Sequence, residues 1–207
     1  EWTDCIGFQA GGYDPLERLA KLRELFARGE ESLGQRRIRL ARQLPEYPEH
    51  ARWRHGNVLF ATLNVPGNAN NARQMPDEFR VRSAALARWL TQAFDLARTE
   101  GLRGVVLFMQ ANPWAAPTGR YFGYRELLAA LAKETLAFDG EVLLVHGDTH
   151  RYRVDSPLRH PATGAALANF TRVEVFGSPG MNWVRIRVTD HAGRIGFEVT
   201  PDRKSVV

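Results

Sequence analysis

The sequence predicts an α/β fold in which two mixed β-sheets pack together with helices outside them. Between Val58 and Val145 the order is strand, helix, strand, helix, strand. The last third changes to short alternating strands joined by Gly/Pro turns, as in an antiparallel sheet with one wet face. Polar clusters come directly after the apolar runs, the position where open α/β sheets carry their ligand sites. With 207 residues, 44% hydrophobic and 25% charged, the chain is large enough to bury one core. No apolar stretch reaches the ~20 residues that cross a bilayer.

The first element is a helix over 15–28. Asp14 is placed to cap it, Pro15 suits the first helical position, Glu17 has capping-box spacing and Gly29 stops it. Leu16, Leu19, Leu22, Leu25 and Phe26 form its apolar stripe. Arg36 to Arg42 alternates with Ile38 and Leu40 like a half-buried strand, and a loop containing Pro45 and Pro48 comes next. Val58 to Asn64 is a buried strand by length and composition. It empties into Pro66-Gly67-Asn68-Ala69-Asn70-Asn71, a loop. A long helix runs over 78–98, capped by Asp77, with Val81, Ala84, Ala85, Trp89, Ala93, Phe94 and Ala97 facing inward. Gly104 to Met109 is a covered strand that ends at Gln110-Ala111-Asn112-Pro113-Trp114. A helix over 124–138 leads to strand Glu141 to Val145 and then to His146-Gly147-Asp148-Thr149-His150. Phe170 to Phe176, Trp183 to Thr189 and Ile195 to Thr200 complete the chain as an antiparallel meander.

The net charge is +5 and the pI about 9.8, and of 28 basic residues all but Lys21, Lys133 and Lys204 are arginine. Basicity alone invites a nucleic-acid reading, but no aromatic residues interleave with the arginine run, so it has no stacking platform and reads as a solvated face. The one cysteine, Cys5, excludes a disulfide within this chain and a cysteine-based zinc site.

The sharpest chemical signal is His146, Asp148 and His150. Alternate residues of an extended segment point the same way, so two or three of these could reach one ion, and imidazole with carboxylate suits zinc, manganese or iron. The same residues could equally be hydrogen-bonded loop residues. Asn68, Asn70 and Asn71 either contact a phosphate or leaving group, with Asn70 and Asn71 the better candidates, or serve as turn formers that tolerate left-handed backbone. Trp2, Trp114 and Tyr121 are candidates for the wall of a cleft or for packing. His50, His55, His160 and His191 fall in polar loops and receive no role.

Several separated phrases resemble the calcineurin-like metallophosphoesterase family, in a bacterial branch. Gly147-Asp148-Thr149-His150 resembles its Gly-His-x-His block, with Asp148 in place of the first histidine. Gln110, at the end of a strand and before Pro113, resembles the strand-terminal histidine block with glutamine substituted. Glu1-Trp2-Thr3-Asp4-Cys5 is similar to the stretch just after the Gly-Asn-His block in that branch. Gly11 to Leu19, Gln110 to Pro113 and Asn169 to Gly177 are similar to it too. The resemblance implies a partial domain over 1–201, a metallophosphoesterase-like sandwich missing its N-terminal strands.

It also implies two divalent metal ions (manganese, iron, zinc or magnesium) acting on a phosphate-ester substrate through an activated water. On this mapping His150, Asp148 and Gln110 are metal ligands and His146 orients a ligand by hydrogen bond. The catalytic residues are expected upstream of Glu1, and this chain alone is expected to be inactive. Two histidines replaced by Gln110 and Asp148 shift the ligands toward oxygen, favouring manganese or magnesium over zinc. The same replacements leave open a binding protein that keeps the fold without the chemistry. Residues 202–207, DRKSVV, match the in-frame translation of a common sequencing adapter and are expected to be a non-native tail.

Overall fold

The computed structural model describes residues 1–115, 121–180 and 182–202. Among them the strands are β1 (Ala41–Gln43), β2 (Tyr47–His55), β3 (Val58–Thr62), β4 (Gly104–Phe108), β5 (Glu141–His146), β6 (Arg153–Asp155), β7 (Phe170–Glu174), β8 (Trp183–His191) and β9 (Arg194–Asp202). The helices are α1 (Pro15–Phe26), a single turn α2 (Gly67–Asn70), α3 (Pro76–Thr99) and α4 (Arg125–Leu136). Seven strands make one mixed sheet in the order β1-β2-β3-β4-β5-β7-β6, and β8 and β9 form a separate antiparallel pair. The chain is thus α/β, with β3, β4, β5 and β7 parallel at the centre.

Because β3, β4 and β5 step along the sheet in one direction, right-handed crossovers put α3 and α4 on the same face. Alternate strand residues Leu59, Ala61, Val105, Leu107, Val142, Leu144 and Phe170 meet Leu86, Trp89, Leu90, Phe94, Leu127 and Leu131 there. Each such fully buried large side chain contributes roughly 1.5–3 kcal/mol. The opposite residues, Val58, Val106, Leu143 and Val173, meet Ile195 of the hairpin, with Phe197 and Val199 packed against them. Trp53, Phe60 and Phe108 stack in a row on this second face. No helix among the described residues is long and apolar enough to cross a membrane.

Several expectations need correction. The strand at Phe170 joins the large sheet in parallel rather than starting a three-stranded meander. It is covered on both faces, which an antiparallel strand with one wet face is not. The segment expected as a proline-rich loop contains β2, the longest strand of the large sheet; Pro48 lies at its start, where proline is tolerated. Only Ala41–Gln43 of the arginine run is a strand. His50 is therefore not a loop residue: it is fully buried on β2, stacked between Tyr47 and Trp89.

Asp14 caps α1 by accepting from Leu16 N–H at 2.8 Å, but Glu17 pairs with Arg18 instead of closing a capping box. The α1 stripe is mostly uncovered: Leu19 is buried while Leu16, Leu22, Leu25 and Phe26 are exposed. Helix α3 starts at Pro76 with Met75 at its cap, not Asp77. Its inner line takes in Arg82, Leu86 and Leu90 and leaves out Val81 and Ala84. The expected tail overlaps β9, which includes Asp202, while 203–207 lie outside the described residues.

Candidate functional site

The loops that leave β3, β4 and β5 run side by side past the sheet edge. Ala111 N–H donates to the Val65 carbonyl at 3.0 Å, and Gly147 N–H to the Gln110 carbonyl at 3.1 Å. These two bonds carry the register of the sheet into the loops and fix which residues meet. Between them opens a cleft of about 600 Å³, lined by Asn68, Ala69, Arg73, Asn112, Tyr124 and Asp148 among others.

Gly67 marks the point where three side-chain oxygens converge. A Cβ built on it would lie 2.9 Å from Glu1 Oε1, 3.6 Å from Asp148 Oδ1 and 3.7 Å from Gln110 Oε1. Two carboxylates and an amide oxygen thus ring a space left by the missing side chain. The Glu1 carboxyl is largely buried and accepts from Thr3 Oγ at 2.7 Å; burial raises its pKa above the ordinary carboxylate value. Asp148 Oδ2 accepts from Asn112 N–H at 2.8 Å, which leaves Oδ1 toward Gly67. The donor set is all oxygen, suited to a hard divalent cation such as magnesium or manganese. Among the described residues no three His, Cys, Asp or Glu side chains form such a group; the third donor here is neutral Gln110.

The two histidines that flank Gly147-Asp148-Thr149 do not share one face. Asp148 (φ 87°) and His150 (φ 60°) take left-handed backbone, so the alternation expected of an extended strand is broken. His146 points inward, 1% exposed and beside Trp114, with Nδ1–H donating to the Gly147 carbonyl at 2.9 Å and Nε2 buried without a partner among the described residues. Burial lowers its pKa below the ordinary histidine value. His150 is exposed, with Nδ1–H donating to the Ser178 carbonyl at 2.8 Å. A carbonyl can only accept, so its Nε2 carries the lone pair. The structure therefore brings Asp148 and Gln110 together, with His146 behind them and His150 outside the lining of the cleft.

Asn70 and Asn71 are 1% and 0% exposed and act inside the protein. Four consecutive non-glycine residues, Asn68 to Asn71, have φ between 51° and 62°. Left-handed backbone costs roughly 1–2 kcal/mol per residue, less for asparagine, and Ala69 has no such relief. The turn is held by Arg82, itself fully buried, which donates to Asn70 Oδ1 at 2.6 Å, to the Asn70 carbonyl at 2.9 Å, to the Asn64 carbonyl at 3.0 Å, and to both oxygens of Glu78. Asn70 Nδ2 in turn donates to the Gly123 carbonyl at 2.9 Å. Gly123 has to be glycine: a Cβ there would lie 1.8 Å from the Ala69 carbonyl oxygen. It is Asn68, with Nδ2 on Asp4 at 3.1 Å, that borders the cleft.

Trp2 is buried and donates to Asn64 Oδ1 at 3.1 Å, and Trp114 packs against Phe170 below the Arg172 guanidinium, so both act in packing. The side chain of Tyr121 lies outside the described residues. Tyr124 donates instead, to the Pro66 carbonyl at 2.9 Å, and burial followed by the Asp148 and Glu1 charges raises its pKa.

Sequence reasoning missed a second buried polar group under Asp148. Asn112 donates to Glu174 Oε2 at 3.0 Å and accepts from Arg172 at 3.2 Å; Arg172 also holds Asp155, and Thr149 donates to Glu174. The available signal was charge within an apolar strand, Arg172 and Glu174 in FTRVE, which requires partners when buried. Comparison with protein-family models, with curated proteins and with solved structures finds no match to this chain.

Proposed function

We propose that the intact protein is a metal-dependent phosphoesterase that hydrolyses phosphate esters with two divalent cations. The observation that carries this reading is the ring of Glu1, Gln110 and Asp148 oxygens around the bare Cα of Gly67, at the edge where parallel strands end. The phrases shared with the calcineurin-like family, and the hairpin packed on the second face of the large sheet, support a metallophosphoesterase-like sandwich.

Asp148, Gln110 and Glu1 would hold one ion. His150 would offer Nε2 to the other, because its Nδ1–H is fixed on the Ser178 carbonyl. The chemistry these ions supply when bound is Lewis-acid activation of a water nucleophile and neutralisation of charge on the phosphoryl oxygens. The chain's own part is positional. Asn112 N–H aims the Asp148 carboxylate, His146 fixes the Gly147 carbonyl behind it, and the clamped turn of Asn70 and Asn71 fixes the opposite wall. By the resemblance, further ligands come from blocks ahead of Glu1, so turnover is proposed for the intact parent rather than for this chain.

Titrating this chain with Mn²⁺, read as loss of the free-ion EPR signal, tests the cradle. Gly67→Ala fills it without backbone strain, since Gly67 does not have a positive φ, and is expected to weaken Mn²⁺ binding at least about tenfold while leaving the denaturation midpoint unchanged. Folded wild-type chain that takes up no Mn²⁺ would sink the metal reading. Gln110 and Asp148 at positions where the family has histidine favour, as a second reading, a protein that binds a phosphorylated ligand without hydrolysing it.

A further inference from the structure

The cleft is lined by groups of opposite charge. Asp148 supplies a carboxylate, and Arg73 lines the same cleft from the segment just past the left-handed turn. Arg73 is exposed and, among the described residues, makes no ion pair and no side-chain hydrogen bond. Arg82, nine residues on, spends every guanidinium nitrogen on Glu78, Asn64 and Asn70. The two arginines divide the work: one holds the turn, and the other is carried by it.

The path of the segment is tightly determined. Four left-handed residues, a fully buried guanidinium and a glycine in backbone contact with Ala69 all serve to fix residues 68–71. Strain of this kind persists where the surroundings over-determine it, and such places concentrate at ligand clamps. The turn delivers Asn68, Ala69 and the Arg73 cation to the cleft. A guanidinium on a fixed base, lining a cleft that also holds the Asp148 carboxylate, is suited to an anion in bidentate contact.

We propose that Arg73 is a specificity-determining residue that selects phosphate esters whose leaving group carries a second negative charge, a carboxylate or another phosphoryl group. This rests on the phosphoesterase reading of the cleft. The ester phosphate would lie toward Asp148 and Gly67, and the second anion would meet Arg73. Asn68 and Tyr124 line the same cleft.

The test is a ³¹P NMR titration of the 207-residue chain with ethyl phosphate and with phosphoglycolate, with and without Mg²⁺. The two probes have the same heavy-atom skeleton up to the terminal group, a methyl in one and a carboxylate in the other. Phosphoglycolate is expected to bind about tenfold more tightly, as a charge-assisted contact gives. Arg73→Gln should erase that difference and leave ethyl phosphate unchanged, while Arg73→Lys should retain part of it. Glycerol 1,3-bisphosphate set against glycerol 3-phosphate, run in parallel, shows whether a phosphoryl group serves as well as a carboxylate.

Equal binding of both probes by wild type, with Mg²⁺ dependence and loss in Gly67→Ala, overturns the Arg73 subsite and leaves the phosphoesterase reading intact. A preference abolished by Arg73→Gln but indifferent to Mg²⁺ and to Gly67→Ala keeps the anion subsite and removes the metal. No binding of either probe, with the chain shown folded, overturns both.

Discussion

The loop after β3 and the loop after β5 leave the same sheet edge in left-handed backbone, but they are fixed by different chemistry. The first is closed around one fully buried cation: Arg82 satisfies Glu78, Asn64 and Asn70 together, and Asn70 passes the constraint on to Gly123. The second is supported from below by shared contacts, in which Asn112 joins Asp148, Glu174 and Arg172, and Thr149 joins Glu174. One loop depends on a single side chain, the other on several. Rigidity in the candidate site is therefore of two kinds: the β3 wall is clamped, and the β5 wall is a network that can lose a member.

That contrast is most exposed at Arg82. Arg82→Met removes the guanidinium from Glu78 and from Asn70 in a largely buried site, and removing one member of a buried pair costs about 3–5 kcal/mol. Glu78 keeps some contact with solvent, which points to the lower end. Glu174→Gln keeps shape and one acceptor and should cost less, about 1–3 kcal/mol. Urea denaturation of both variants compares them directly; a larger loss for Glu174→Gln would reverse the assignment of clamp and network.

Acid should weaken the β3 side through His50. His50 lies beneath that clamp on β2, its Nδ1 on Gln43 at 2.6 Å and its Nε2 buried without a partner among the described residues. Burial, opposed by Glu49 and reinforced by the nearby Arg82 and Arg23 charges, lowers its pKa from 6.5 to about 4. The unfolded chain therefore takes up this proton near pH 6.5 while the folded chain refuses it until about pH 4. Stability present above pH 6.5 falls by roughly 3 kcal/mol down to that point from this group alone. In His50→Phe the slope between those pH values should flatten; an unchanged slope would place the proton uptake elsewhere.

Gly123 tests whether the turn can be moved from outside. In Gly123→Ala the new methyl would meet backbone, the Ala69 carbonyl at 1.8 Å, and backbone cannot swing aside as a long side chain can. Overpacking of this sort costs about 1–3 kcal/mol. Because the turn carries Arg73, the phosphoglycolate preference should fall as well. A stable variant with the preference intact would show that the turn does not set the position of the cation.

The parts of this arrangement that sequence reveals are those governed by local pattern. The apolar runs at Val58, Gly104 and Glu141 identify three central strands because both faces are covered, and the polar residues behind them mark the site edge. The features that escape are decided by distant partners. Pro48 and flanking charges conceal β2, since its burial depends on α3 lying across it. Arg82 reads as one more surface arginine because its partners lie on a loop twelve and eighteen residues away. Asp148 and Gln110 are legible as a pair through order along the chain, and the inward turn of His146 follows the alternation of β5, but the departure of His150 from it comes with positive φ angles at Asp148 and His150 that an alternating pattern does not anticipate.

The smallest effect is expected at His150, and it separates the two loops most finely. The ring is exposed and, among the described residues, its one hydrogen bond goes to the Ser178 carbonyl, so His150→Ala should change stability by less than about 0.5 kcal/mol. The β5 loop keeps its hold through Asp148 on Asn112 and Thr149 on Glu174. Mn²⁺ uptake at the Gly67 cradle should stay within about twofold of wild type, because the oxygens that ring Gly67 are those of Glu1, Gln110 and Asp148. Asp148→Asn, by contrast, removes a charge from the cradle itself and should weaken uptake strongly. If His150→Ala weakens it as much, the imidazole reaches the same ion as Asp148, and the β5 loop, not the clamped β3 turn, governs how the cation is held.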